Sequence, residues 1–440
     1  MRRRARKGGG RQIEATIEGL GARGDGFAGL DGRPVFVPFT VAGDRVRLRL
    51  TGTRAGGFKG EVLELLEEGP GRAEPPCPHF GVCGGCALQH LTDEACARWK
   101  QGLVAQALAR RGFGEVPVQP MIRIPPGTRR RATLAAARTE TGVTLGFHGR
   151  ESHAVVDVET CLLLTPRLMG LLPPLRQALA PLLQEGETAA VTVTETEEGP
   201  DLLVVSAQAP GLEAREALAA FAEAQDLARL SWAARAKTGE APAPEPVVLR
   251  RPPRLDFAGV AVELPPGGFL QPTAAGEAAL VERVLSYLPE GAAAVADLYA
   301  GCGTFTFPLA TFPLAGRARV HAVERDEAAM AALWSAARKA DLAGRITVET
   351  RDLARAPVTA EELAGGDCVV FDPPRAGARE QAAEIARSTL PAAIAVSCNP
   401  NTFARDARTL VDGGFRLVEV TPIDQFPWTG HLELVASFRR

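Results

Sequence analysis

An α/β catalytic domain on a mostly parallel, doubly wound sheet, preceded by a small N-terminal β-barrel and a mixed α+β central domain, is the fold class predicted for this chain of 440 residues. Three observations carry that prediction. From about residue 266 onward apolar runs ending in turns alternate with helical stretches, which is the rhythm of parallel strands joined by crossover helices. Between residues 12 and 68 short apolar stretches are broken by glycine, and between the two regions strand-like and helical segments mix without either rhythm.

Residues 1–11 form a basic tail with Arg2, Arg3, Arg4, Arg6, Lys7 and Arg11 and no acid. Residues 12–68, reading IEATIEGL, GFAGLDGRPVFVPF, DRVRLRL and GFKGEVLELLE, predict a barrel of the oligonucleotide-binding (OB) kind. Arg45, Arg47, Arg49, Arg54 and Lys59 lie on it, and a second cluster follows at Arg129, Arg130 and Arg131. Each cluster reads either as a solvated face or as a polyanion footprint. The net charge of −2 does not decide between them, because attraction to phosphate is local, decaying over roughly 8 Å at physiological salt.

EEGPGRAEPPCP (67–78) reads as a linker, and residues 69–262 as the central domain. Its helical stretch over 93–112 stops at Gly112. VTLGFHG, HAVVDVE, AAVTVTET, DLLVVSAQ and VAVEL are its strands, and the Ala/Pro-rich stretch 237–246 is a surface loop. Residues 263–440 make the catalytic domain, with strands AAAVADLYA, RVHAVERD, CVVFDPP and AAIAVSC. An apolar fraction of 46% without a bilayer-length apolar run or a secretory leader predicts a globular, cytoplasmic protein with no membrane partner. No protein partner stands out, and a monomer is expected.

The chemistry gathers at strand ends. Gly301 and Gly303 sit between a strand and a helix start, where the backbone can approach a ligand closely. Glu324 ends the next strand, positioned to accept both hydroxyls of a ribose, and Asp352 follows the third strand within reach of an adenine edge. A nicotinamide dinucleotide and S-adenosylmethionine are the two cofactors this pattern admits. FDPPRAG (371–377) has a stiff Asp-Pro-Pro turn that resembles the one methyltransferases use at the mouth of their site, and this resemblance favours the second.

Cys398 in SCNPN surfaces at the carboxyl edge of the sheet, and the amide dipoles of the following helix are expected to lower its pKa. The alternative, a buried thiol acting as a small hydrophobe, suits the preceding AAIAV better than this polar turn. Eight cysteines in such a chain argue against a disulfide framework. Cys77, Cys83 and Cys86, spaced C-x5-C-x2-C in a glycine-rich loop, suggest a metal site short of one ligand, and spacing alone leaves zinc and iron–sulfur both open. Cys96, Cys302 and Cys368 read as core.

DLYAGCGTFTFPLA, FDPPRAG, SCNPNTFARD and DQFPWTGHLE, in this order, with GGFLQPT (267–273) upstream, resemble the RNA 5-methyluridine methyltransferase family, and the barrel resembles its TRAM domain. The resemblance implies a Rossmann-like class I methyltransferase that uses S-adenosylmethionine. Cys398 would be its nucleophile and Glu433 its base, with His431 competing for the second role. Cofactor contacts would come from Gln271, Tyr299, Gly301, Gly303, Glu324, Asp352 and Asp372, with Gln271 and Asp372 also near substrate. Arg375 would face the developing enolate oxygen or a phosphate.

The resemblance further implies a [4Fe-4S] cluster on Cys77, Cys83, Cys86 and Cys161. The substrate would be RNA, with 23S ribosomal RNA favoured over transfer RNA. Departures from the family pattern are Ala300 where a cysteine is usual, Trp428 where histidine is frequent, and a helix after Glu324 without the usual asparagines. A radical methylthiotransferase would need a C-x3-C-x2-C triplet, which is absent. A non-catalytic RNA-binding or assembly factor would not need Cys398, Asp372 and Glu433 all in place.

Overall fold

The computed structural model describes residues 10–54, 56–235, 243–312 and 318–440, so most of the basic tail and of the Ala/Pro-rich loop lies outside the described residues. The chain divides into two compact units. One comprises residues up to Leu103 together with Trp428–Gly430, and the other Val104–Pro427 with His431–Arg440.

The first unit holds a six-stranded sheet with the spatial order Gln12–Thr16, Arg45–Arg54, Gly57–Glu67, Arg33–Val37, Gly26–Leu30, Gly19–Leu20. Its longest strands are Arg45–Arg54 and Gly57–Glu67. In RVRLRL the period of two sends Val46 and Leu48 into a core with Ile17, Ala28, Val35 and Val37, and the arginines outward. There Arg45 pairs with Glu67 at 2.6 Å, Arg49 with Glu61 at 2.6 Å, and Arg47 with both Glu14 and Glu64. The strand register puts these partners opposite one another. The arginine row of the barrel is therefore a ladder of cross-strand ion pairs, a solvated face whose charge is already balanced.

The second unit carries two sheets. The seven-stranded sheet of the central region runs mainly antiparallel, from Arg131–Thr139 through Glu245–Leu249. It is covered by the helices Pro166–Leu179 and Leu212–Ala224, whose Leu168, Leu172, Leu175 and Leu218 pack on Leu134, Val191, Val193 and Leu202. Thr165 starts the first of these helices, its side chain accepting from the Leu168 amide.

The eight-stranded sheet of the catalytic region has the spatial order Ile346–Thr350, Arg319–Glu324, Ala294–Leu298, Cys368–Phe371, Ala392–Ser397, Glu433–Arg439, Arg416–Asp424, Ile122–Arg123. The first five are mutually parallel, and Glu433–Arg439 runs antiparallel to both of its neighbours. CVVF and AAIAVS are buried at every position because helices cover both faces, so these strands are continuously apolar instead of alternating. The expected doubly wound sheet is present. Its edge pair Ile122–Arg123 comes from far upstream and is too short to leave a periodic signal. Strand order reverses between Ala294–Leu298 and Cys368–Phe371, and ligands of such sheets bind beside that point. No helix among the described residues is long and apolar enough to cross a membrane.

Candidate active site

The strand Ala294–Leu298 leads into a tight loop in which Tyr299, Gly301 and Gly303 all have positive φ, at 65°, 55° and 103°. The amides of Tyr299 and Ala300 donate to the Val323 carbonyl, which fastens the loop to the next strand. The two glycines answer different needs. A Cβ at Gly301 would find no heavy atom within 4 Å, so the backbone there borders open space, whereas one at Gly303 would lie 2.5 Å from the Phe307 ring.

Glu324 is held by three backbone amides. Oε2 accepts from Gly301 at 3.2 Å, and Oε1 accepts from Arg325 at 2.7 Å and Asp326 at 3.0 Å. Asp352 follows the third strand, Oδ1 accepting from the Ala354 amide at 3.1 Å. The open cradle at Gly301, flanked by a fixed carboxylate, suits the ribose and chain of an adenosyl cofactor.

The other half of the site follows from register. Ser397 pairs with Leu434 at the end of the antiparallel ladder, which brings Cys398, just past its strand, beside Glu433 at the start of the other. Asp372 emerges from the strand Cys368–Phe371 beside the Ala392–Ser397 strand, its amide donating to the Leu298 carbonyl at 3.2 Å. Burial and the neighbouring Asp372 push the buried Glu433 carboxyl well above the usual range, against a hydrogen bond from Gln425 that favours its charge. Desolvation pushes Asp372 up to about 7.

Cys398, half-buried, is pushed up to about 11 by burial and by the Glu433 and Asp372 charges. The expected lowering of this thiol by the helix dipole is thus overturned. Burial is the largest cause, with the Glu433 and Asp372 charges adding to it, while Pro400 opens the helix Pro400–Asp412 without an amide hydrogen and Asn399 caps the Asn401 amide with its own side chain at 3.1 Å. Arg375 acts in the lowering direction. Its carbonyl is tied down by Asn399 Nδ2 at 3.2 Å and Thr402 Oγ1 at 3.3 Å. His431 is exposed, its ring edge-on to Phe426 at 6.0 Å, whereas Glu433 is the buried neighbour of the thiol.

Two residues of this ensemble escape a reading of the sequence. Asp297 is fully buried in an otherwise apolar strand, its Oδ2 accepting from Thr306 and its Oδ1 without a partner. Burial, then Asp372 and Glu324, push it up to about 7. An acid inside ADLY is the available signal. Gln425, also buried, donates from Nε2 to Gln271 Oε1 at 2.8 Å and accepts from Thr273 Oγ1 at 3.4 Å. Its place in DQFPWTGHLE marked the segment but not the residue.

None of the eight cysteines is in a disulfide. Cys77, Cys83 and Cys86 are half-buried on one loop of the first unit, where Cys83 Sγ accepts from the Gly85 amide at 3.4 Å, and Cys161 belongs to the second unit. Soft thiols are the right donors for an iron–sulfur or zinc site. Yet no group of three or more His, Cys, Asp or Glu side chains placed to hold a metal ion is found among the described residues. The side-chain arrangement therefore gives the expected cluster no support.

A family model described as tRNA (uracil-5-)-methyltransferase matches residues 258–439, and a TRAM-domain model matches residues 6–63. A Caulobacter vibrioides protein carrying the name RNA methyltransferase is 43% identical over 97% of this chain and 100% of its own length. A 23S rRNA uracil-C5 methyltransferase of Chromohalobacter salexigens is 34% identical over 100% of this chain and 92% of its own. The crystal structure of Pyrococcus abyssi tRNA (uracil-54, C5)-methyltransferase shares the fold, with a TM-score of 0.74 and 23% identity over 97% of this chain and 99% of that one. Alike to these relatives along nearly its whole length, the chain belongs to the RNA uracil-5 methyltransferase family, with a TRAM domain at its N-terminal end.

Proposed function

We propose that this protein methylates carbon 5 of a uridine in RNA with S-adenosylmethionine as methyl donor, Cys398 being the nucleophile and Glu433 the base. The nearness of thiol and buried carboxyl at the ends of two adjacent antiparallel strands carries the reading. When bound, S-adenosylmethionine supplies an electrophilic methyl. Tyr299, Gly301, Gly303, Glu324 and Asp352 would hold it, with Asp372 and Gln271 between it and the base.

Carbon 5 of uracil is too weak a nucleophile to take that methyl unaided. Cys398 loses its proton to solvent, which its half-exposed position allows, and the thiolate forms a bond to carbon 6. The ring π pair moves toward carbon 5 and the carbonyl oxygen, giving an enolate. Carbon 5 of that enolate would then accept the methyl that bound S-adenosylmethionine supplies, leaving the demethylated thioether behind. Glu433 then takes the carbon 5 proton, the C5–C6 double bond re-forms, and the C6–S bond breaks to return the thiolate. The high pKa of Glu433 makes it the stronger base once ionised. Both ring faces must be reached, so the uridine enters unpaired or flipped out.

The RNA is proposed to be ribosomal, since the Chromohalobacter relative is named for 23S rRNA, with the protein acting as a cytoplasmic monomer. Transfer RNA is the alternative substrate. Mapping 5-methyluridine in ribosomal and transfer RNA from cells lacking the protein tests this, and loss in transfer RNA alone would reverse the assignment. A [4Fe-4S] cluster on Cys77, Cys83, Cys86 and Cys161 rests on spacing and resemblance, and no step of the reaction passes through it. Brown anaerobic protein containing iron would support it, and colourless protein with stoichiometric zinc would refute it.

A further inference from the structure

The run Arg129–Arg131 resembles a phosphate-binding patch in sequence, but its side chains turn inward. Arg130 NH2 is 2.7 Å from Glu277 Oε2, and both side chains are almost wholly enclosed, at 13% and 10% exposure. Arg130 Nε donates to the Gln271 carbonyl at 3.3 Å, and its backbone amide donates to the Pro272 carbonyl at 2.8 Å. Arg131 NH2 donates to the Gly267 carbonyl at 3.1 Å, and Arg129 forms an isolated antiparallel bridge with Thr273. Three carbonyls of the segment 267–273 are thereby held by two consecutive arginines. Glu277, in the first turn of the helix Ala274–Ser286, completes the clamp from the far side.

That segment delivers Gln271, whose side-chain Oε1 accepts from Gln425 Nε2 at 2.8 Å, and Gln425 in turn favours the charged form of Glu433. The Gln425 amide has little room to move, since a Cβ on Gly276 would stand 2.4 Å from its Oε1. We infer that Arg130 is a positioning residue for methylation, fixing Gln271 through its backbone carbonyl and so fixing the Gln271–Gln425–Glu433 chain in which the base is held. This rests on the reading of Glu433 as base. Glu277 acts with Arg130 as its counter-ion, and a chain of this kind transmits sub-ångström displacement into rate.

The test uses the full-length protein and labelled methyl transfer to total RNA from cells lacking the enzyme. Arg130→Lys keeps a cation beside Glu277 but cannot also donate to the Gln271 carbonyl. Arg130→Met combined with Glu277→Leu removes both charges, so no lone charge is left buried. Both variants are expected to keep a wild-type Tm and KM within about twofold while kcat falls roughly ten- to a hundredfold. They should also enrich the covalent RNA–protein complex on denaturing gels, because the step after methylation is the one slowed.

Glu433→Gln is measured alongside. If it turns over normally, the base assignment fails, and a kcat loss in Arg130→Lys then still reports the placement of Gln271. Wild-type kcat in both Arg130 variants, or a kcat loss matched by a fall in Tm in both, would overturn the positioning role.

Discussion

Glu433 opens the strand that runs antiparallel to the one Cys398 follows, and its carboxyl raises the pKa of that thiol. The proposed nucleophile and base thus stand as neighbours at the ends of two strands whose side chains are buried from Ala392 to Ser397 and from Leu434 to Phe438. Helices cover both faces of these strands, so a slip of one residue would mismatch both packed faces at once, and core packing holds Cys398 beside Glu433.

Glu433→Gln should stop the reaction after methyl transfer. With the carbon 5 proton retained, elimination cannot follow. A denaturing gel should show a stable RNA–protein complex carrying the labelled methyl, and product release should fall about 10²- to 10⁴-fold. Normal product release without a complex would move the base role elsewhere.

The thiol, pushed up to about 11, is protonated at neutral pH. Alkylation of Cys398 by iodoacetamide, followed by peptide mass spectrometry, should accelerate about tenfold per pH unit between 7 and 10. Asp372→Asn and Glu433→Gln each remove a neighbouring negative charge, so each should lower the thiol pKa and raise the alkylation rate at pH 8. Cys302 and Cys368, buried and pushed up to about 12, should stay unmodified under the same conditions.

Asp297 makes a stability prediction of definite sign. Its pKa is raised from 3.8 to about 7 in the folded protein, so folding favours the protonated form. That contribution is complete below the unfolded pKa and disappears as pH rises through 7. At about 1.4 kcal/mol per unit, a rise of roughly three units bounds the loss at about 4 kcal/mol. Asp297→Asn, which cannot ionise, should therefore raise Tm at pH 8 and leave it nearly unchanged at pH 4. Equal effects at both pH values would contradict the buried, neutral carboxyl.

Gly301 and Gly303 should fail differently when replaced by alanine. Gly301→Ala adds a methyl into open space at φ 55°, costing about 1 kcal/mol of backbone strain, and should weaken S-adenosylhomocysteine binding tenfold or more by calorimetry. Gly303→Ala drives a methyl into the Phe307 ring and should appear first as a lowered Tm.

Much of this was legible in the sequence because the catalytic sheet announces itself by rhythm. Apolar runs ending in Asp, Glu or Cys marked the strands and brought Glu324, Asp352, Asp372 and Cys398 to one edge. The arginines were ambiguous because charge sign carries no direction. Those at 45, 47 and 49 meet glutamates across the barrel strands, and Arg130 is buried against Glu277. Gln425 and Asp297 were hidden for a related reason, since their significance lies in partners 154 and 9 residues away. The thiol pKa was misjudged because a helix dipole is local, whereas the burial of Cys398, the largest cause, and the carboxylates that add to it come from the tertiary fold.

The most direct measurement is mass spectrometry of the protein after reaction with substrate RNA in which uridine is replaced by 5-fluorouridine. Fluorine on carbon 5 cannot leave as the proton does, so a methylated nucleotide should remain attached to the peptide containing Cys398, and Cys398→Ala should abolish both adduct and turnover. Methylated product from the Cys398→Ala protein, or an adduct on any other residue, would contradict the account.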